Sequence, residues 1–223
     1  FTFVTLFPNL IEPYFHDSIL KRAIESNFIS YEFYNPRDFT TNKHKKVDAQ
    51  MVGGGAGMLL TCQPLFDCLD EIKSKNEEAY IIFPLAAAKP FRQNDAKRLA
   101  KKKNIVFVSG RYEGIDERVI EKYANEVFSI GEFVLTGGEL PSLVMADAIA
   151  RNVKDVLGNA DSLDVESYEN NLLEAPSFTK PEIFQKLSVV KEFLKGNHSK
   201  ISDLKIQMSK CKTKYYRPNK EKR

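Results

Sequence analysis

Short, uninterrupted apolar runs alternate along this chain with stretches whose apolar residues recur at helical spacing, and that alternation leaves few architectures open. Residues 1–6, 29–34, 80–83, 105–109 and 127–130 read as strands. Continuous apolar strands such as 105–109 belong in the middle of a parallel sheet covered on both faces. Between them, residues 11–26, 64–75, 95–103, 115–123 and 142–151 read as helices, with Phe15, Ile19, Leu20, Ala23 and Ile24 forming one apolar stripe. Asn94 is the expected cap of the fragment 95–103. Strand and helix in alternation predict an α/β fold with a largely parallel sheet up to about residue 151. Ligands of such sheets sit beyond the carboxyl ends of the strands, so the loops 84–91, 110–114 and 131–141 are expected to share one pocket.

With 43% hydrophobic and 28% charged residues, the chain has an ordinary globular composition and can bury a core. No apolar run reaches bilayer length, and the start lacks the basic region of a signal peptide. Cys62, Cys68 and Cys211 include no C-x-x-C pair, which suits reduced thiols and a cytoplasmic location. His16, His44 and His198 are scattered, so no metal site is expected. The net charge of +3 hides an asymmetry: residues 205–223 carry +7, leaving −4 for the remainder. A second basic cluster spans 89–103, and residues 155–174 hold acids without a single base. Basic faces of this density attract phosphate backbones by releasing counterions. The same lysines also suit a merely solvated surface.

Two glycine stretches leave apolar strands. Ile130, Gly131, Glu132, Phe133, Val134 and Leu135 lead through Thr136 to Gly137, Gly138, Glu139, Leu140 and Pro141, after which a helix begins. Pro141 suits a first helical turn, and the glycine pair allows positive φ or close approach of a ligand to the backbone. Gly110, Arg111, Tyr112, Glu113 and Gly114 make a similar strand-to-helix turn, with Tyr112 able to supply a flat wall for a base. A third stretch, Gly53-Gly54-Gly55-Ala56-Gly57, fits neither a dinucleotide fingerprint nor a phosphate loop, because Met58 follows and no Gly-Lys-Ser/Thr is present. It reads as a flexible loop within a polar excursion from 37 to 57. Past residue 155 the chain turns acidic, which reads as a mobile linker, and 181–194 and 200–215 then read as helices of a small second domain.

These blocks resemble, in order and with matching spacing, the bacterial tRNA (guanine-N1)-methyltransferases of the TrmD type. The likeness is carried by 109–118, 130–141, Ala148-Ile149-Ala150-Arg151 with Val156-Leu157-Gly158, Pro36-Arg37-Asp38-Phe39-Thr40, Gln63-Pro64-Leu65 and Gly196-Asn197-His198. The resemblance implies a SPOUT-type α/β domain at 1–154 with a C-terminal trefoil knot, a mobile acidic linker at 155–178, and a small helical, basic tRNA-binding domain at 179–223. It further implies an obligate homodimer whose active site lies at the subunit interface, S-adenosylmethionine as methyl donor, and N1 of the guanine just 3′ of the anticodon as acceptor. By carry-over, the cofactor is held by Gly110, Tyr112, Glu113, Gly114, Ile130, Gly131, Glu132, Phe133, Val134, Leu135, Gly137, Gly138 and Pro141. His44, Asp48 and Gly57 match the family's RNA-facing loop, and Lys205 and Lys212 fall on its RNA-facing helix. Magnesium assists family members, yet only Glu113 stands out as a carboxylate to watch.

Guanine N1 carries a proton and becomes nucleophilic once a general base removes it, while a guanidinium steadies the charge arising on O6. Arg151 is the expected guanidinium. The family's base is an aspartate ahead of a Ser-Phe pair. Val165-Glu166-Ser167-Tyr168 stands there in this chain, so Glu166 is the expected base, with Asp164 and Asp161 in reserve. Other departures are Leu85-Ala86-Ala87-Ala88 in place of a polar loop, and Leu204-Lys205 where Trp-Arg is usual. Methylation of another base or of a ribose oxygen, or tRNA binding without catalysis, are the alternatives.

Overall fold

The computed structural model describes residues 1–158, 166–168 and 171–218, and Asp161 and Asp164 lie outside them. The chain divides into two compact units, Phe1–Gly158 and Asn159–Arg223.

The first unit is built on an all-parallel five-stranded sheet in the order β2-β1-β6-β5-β7. Its strands are β1 (Thr2–Val4), β2 (Glu32–Tyr34), β5 (Tyr80–Pro84), β6 (Ile105–Val108) and β7 (Glu126–Phe128). The side-chain period of two sends alternate residues to opposite faces. Val4, Ile81, Phe83, Val106 and Val108 meet Leu65, Leu69 and Ile72 of α2 (Cys62–Lys75) and Val119 and Tyr123 of α4 (Glu117–Tyr123). Phe3, Ile82, Ile105, Phe107 and Phe128 meet Leu20 of α1 (Ser18–Glu25), Leu99 of α3 (Gln93–Leu99), and Met145, Ala146 and Ile149 of α5 (Glu139–Ala150). Both faces are therefore covered, as uninterrupted apolar strands require.

Several element limits differ from those read in the sequence, each for a local reason. The stretch 11–26 is broken at Asp17, whose carboxylate accepts from Ser18 N–H at 2.6 Å and starts α1. A 3₁₀ turn, Glu12–His16, precedes it. α3 begins two residues before the expected start and stops at Leu99; Asp95, not Asn94, secures its first turn by accepting from Arg92 N–H at 3.0 Å. Lys101, Lys102 and Lys103 lie beyond its end. The polar excursion is partly ordered by a short antiparallel pair, β3 (Asp48–Ala49) and β4 (Leu59–Leu60). α5 starts at Glu139, so Pro141 is its third residue, still among the N–H positions without an intrahelical partner.

In the second unit, α6 (His198–Tyr216) realises the expected last helix, capped by Asn197. Ile201, Leu204 and Met208 are half-buried, whereas Cys211 is exposed. The expected helix over 181–194 is not formed. Instead β8 (Ile183–Phe184) and β9 (Leu187–Ser188) make a hairpin, followed by a 3₁₀ turn, Lys191–Leu194. Residues of the stretch expected to link the domains lie against α6: Leu173 N–H donates to Thr213 Oγ1 at 2.8 Å, and Arg217 stacks on Tyr168 at 4.6 Å.

Candidate cofactor site

The carboxyl ends of β5, β6 and β7 open onto a cavity of about 200 Å³ lined by all three loops expected to share a pocket. Gly110, Tyr112, Glu113 and Gly114 come from the loop after β6. Ile130, Gly131, Phe133, Val134, Leu135, Gly137, Gly138 and Pro141 come from the segment between β7 and α5. Glu132 is the exception: it is exposed and forms no part of the wall, as suits a carboxylate with water at hand. Pro84, Leu85 and Ala86 complete the wall after β5.

The wall has the chemistry of a site for a polar, planar ligand. Among the described residues, no N–H from Glu132 to Gly137 donates to a protein acceptor. The carbonyls of Phe133, Val134 and Leu135 are likewise without a protein partner. Backbone groups left unmatched beside a cavity await ligand or water. Around them stand apolar side chains that are exposed: Tyr112, Phe133, Val134 and Leu135. An adenine ring with hydrogen-bonding edges and a ribose fits this pattern. Tyr112 holds a positive φ of 59°, and Gly114 follows at 124°. The turn they make is tied to Met58 and to Leu60 of β4, just past the glycine stretch 53–57, by main-chain bonds: Glu113 N–H to Met58 O at 3.0 Å, Leu60 N–H to Gly114 O at 3.0 Å, and Asp116 N–H to Leu60 O at 3.0 Å.

The glycine pair serves a purpose other than positive φ. Gly138 has φ −82°, which any residue adopts. A Cβ there would lie 2.8 Å from both Gly110 N and Ser109 Cα. Gly138 N–H donates to Gly110 O at 2.8 Å, and Ser109 Oγ lies 3.0 Å from Ser142 Oγ. The segment entering α5 thus passes main chain to main chain over the end of β6. At Gly137 a Cβ would meet the side chains of Arg111 and Glu139, each at 2.6 Å. These two residues are paired and were not anticipated from the sequence. The signal available was opposite charges inside two loops expected to converge.

Nearby, Asp116 caps α4, and Arg118 holds its carboxyl well below the usual range. Burial, aided by Asp116, raises the Cys62 thiol. His44 is exposed on a turn, its N–H bonded to Asn42 Oδ1; Asp48 lies in β3; and Gly57, at φ +87°, packs against Glu113. No group of three or more His, Cys, Asp or Glu side chains that could hold a metal occurs among the described residues. None of their helices is long and apolar enough to cross a membrane. Arg151 ends α5, while Glu166, Lys205 and Lys212 belong to the second unit.

Comparison with known proteins supplies the family. Residues 1–223 match the family model described as tRNA (Guanine-1)-methyltransferase TrmD. A tRNA (guanine-N(1)-)-methyltransferase of Sulfurovum sp. (strain NBC37-1) is 67% identical over 219 residues, covering 98% of this chain and 96% of the relative. That of Sulfurimonas denitrificans is 66% identical over 218 residues, covering 98% and 94%. That of Campylobacter curvus is 61% identical over 219 residues, covering 98% and 93%. With a parallel sheet, a backbone-lined cavity at its carboxyl edge and matches that run the length of the sequence, the chain belongs to the tRNA (Guanine-1)-methyltransferase TrmD family.

Proposed function

We propose that this chain methylates N1 of the guanine immediately 3′ of the anticodon of tRNA, using S-adenosylmethionine held in the cavity at the carboxyl ends of β5, β6 and β7. The observation that carries the reading is the run of unmatched main-chain groups along that cavity, in a chain of this family. When bound, S-adenosylmethionine supplies an electrophilic methyl group. The chain's own residues orient it: Ile130, Phe133, Val134 and Leu135 offer main-chain contacts and apolar walls, and Tyr112 a flat surface. Glu166 takes the N1 proton, and Arg151 balances the charge that develops on O6. Lys205, Lys212, His44, Asp48 and Gly57 contact the RNA.

A trefoil knot is part of this reading. Its support is the close passage of Gly138 over Ser109 and Gly110, with Glu139 reaching Thr5 at the end of β1. A homodimer sharing its sites is a further part. α5 puts Pro141 at the cavity and Arg151 at its far end, roughly 15–18 Å away at 1.5 Å per residue. A guanidinium so placed serves the cavity of a second copy better than its own. Phe7, Leu10, Tyr14, Leu140 and Val144 are exposed large hydrophobics, and Tyr14 O–H donates to Asp147 of α5 at 2.6 Å, so these elements offer apolar surface to a partner.

The test is methyl incorporation into tRNA transcripts carrying guanine or adenine at the target position. Transfer to guanine alone is expected. Glu166→Gln should spare cofactor binding and slow single-turnover transfer by about 10²-fold. An unchanged rate removes Glu166 from the role.

A further inference from the structure

Glu139 is 2% exposed, and a carboxylate so deeply buried is rare without a partner. Its Oε1 accepts from Thr5 Oγ1 at 2.8 Å. Its Oε2 lies 2.9 Å from Arg111 Nε as an ion pair, with neither atom in a well-directed hydrogen bond. Arg111 also donates from Nη1 to Thr136 O at 3.3 Å, and its guanidinium sits 4.6 Å from the centre of the Phe7 ring. Arg111 lines the cavity after β6, and Thr136 and Glu139 flank the Gly137-Gly138 pair, which lines it beside Gly110. The ion pair therefore bridges the two loops at the edge of the cavity, with Arg111 in its lining and Glu139 buried behind it. Gly137 leaves room for it, since a Cβ there would meet both charged groups.

We propose that Arg111 and Glu139 form a buried clasp that fixes these two loops in cofactor-binding geometry, with both acting as positioning residues. The inference rests on reading the cavity as the S-adenosylmethionine site. A carboxylate placed only to favour a helix N-terminus would do so from the surface, with no desolvation to offset. Burying it against an arginine of the facing loop makes sense where loop geometry must be set before the ligand arrives, because preorganisation lowers the cost of binding.

The experiment is calorimetric titration of the full chain with S-adenosylhomocysteine, which binds the cofactor site without turnover, using Glu139→Gln, Arg111→Met, the double variant and Arg111→Lys. Expected are affinity losses of at least about 10-fold in each of the first two and no further loss in the double variant, the mark of residues acting as one unit. Arg111→Lys should recover part of the loss. Steady-state kinetics should place the defect in KM for S-adenosylmethionine more than in kcat. If Glu139→Gln does not fold, Thr5→Val carries the same test, with a loss of about 3-fold expected for one hydrogen bond. Unchanged affinity in the variants, or fully additive losses, overturns the clasp while leaving the cavity assignment intact. Failure of the unsubstituted chain to bind S-adenosylhomocysteine overturns the cavity assignment and the clasp with it.

Discussion

Replacing Gly138 by alanine adds one methyl group where the chain has no space for it. The new carbon would stand 2.8 Å from Gly110 N and Ser109 Cα, and 3.1 Å from Ser109 C. Comfortable carbon contacts are about 3.5–4.0 Å, so the two segments must separate by roughly half an ångström or more. All three obstacles are main chain, and Ser109 is anchored by its N–H to Val4 O at 2.9 Å. The displacement therefore falls on the start of α5 and breaks the Gly138 N–H to Gly110 O bond. Overpacking costs about 1–3 kcal/mol and the lost bond about 1 more, giving roughly 2–4 kcal/mol. At about 2–4 °C per kcal/mol for a unit of this size, Tm should fall by roughly 4–16 °C. Affinity for S-adenosylhomocysteine should fall with it, since Gly110 and Gly138 both line the cavity. Gly158→Ala is the control, because nothing lies within 4 Å of its added carbon and no left-handed φ is involved. Differential scanning calorimetry and titration calorimetry read the two quantities. A Gly138→Ala protein as stable and as tightly binding as Gly158→Ala would refute the steric argument.

Thiol labelling at pH 8 should give a single fast equivalent, abolished by Cys211→Ser: Cys211 is exposed, burial raises the Cys62 thiol, and burial pushes Cys68 up to about 12. The depressed carboxyl of Asp116, held down chiefly by Arg118, contributes stability that is complete above the unfolded pKa of about 3.9 and lost as pH falls through the lower folded value. Asp116→Asn should therefore show a small, constant Tm deficit from neutral pH to about 5 that shrinks below about 4; a deficit growing in acid would contradict the assignment. If the sites are shared, an Arg151→Ala chain and a cavity-filling Leu135→Trp chain, each inactive alone, should regain roughly a quarter of full activity when refolded together, since half the dimers are mixed and each holds one intact site. No recovery would place Arg151 with its own chain's cavity.

The sheet was legible because a strand buried on both faces has only one sequence signature, and 105–109 carries it plainly. The convergence of three loops followed from strand direction alone. Helix limits were harder, since they turned on side chains reaching back to the main chain, as Asp17 and Asp95 do. The hairpin of β8 and β9 had no turn signal: Gln185 and Lys186 take φ of 47° and 68°, where asparagine and glycine are the residues that announce such a turn. Of the two reasons the sequence offered for the glycine pair, positive φ and close approach to the backbone, the first is not used: Gly138 has φ −82°. Positive φ belongs instead to Tyr112, an aromatic residue that sequence rules would not nominate. Arg111 and Glu139 went unread because ion pairing across distant segments leaves no local pattern.

The three main-chain bonds that join Met58 and Leu60 to the turn at 113–116 carry a consequence for how a signal crosses the molecule. Peptide groups make them, so side-chain exchanges other than to proline leave their donors and acceptors in place. They connect the chain just past the glycine-rich arm at 53–57 to a turn that lines the cavity, so a displacement of either has a direct path to the other. If the arm meets RNA and the cavity holds the methyl donor, as proposed, these bonds give the two events a shared joint that runs through main chain rather than side chains.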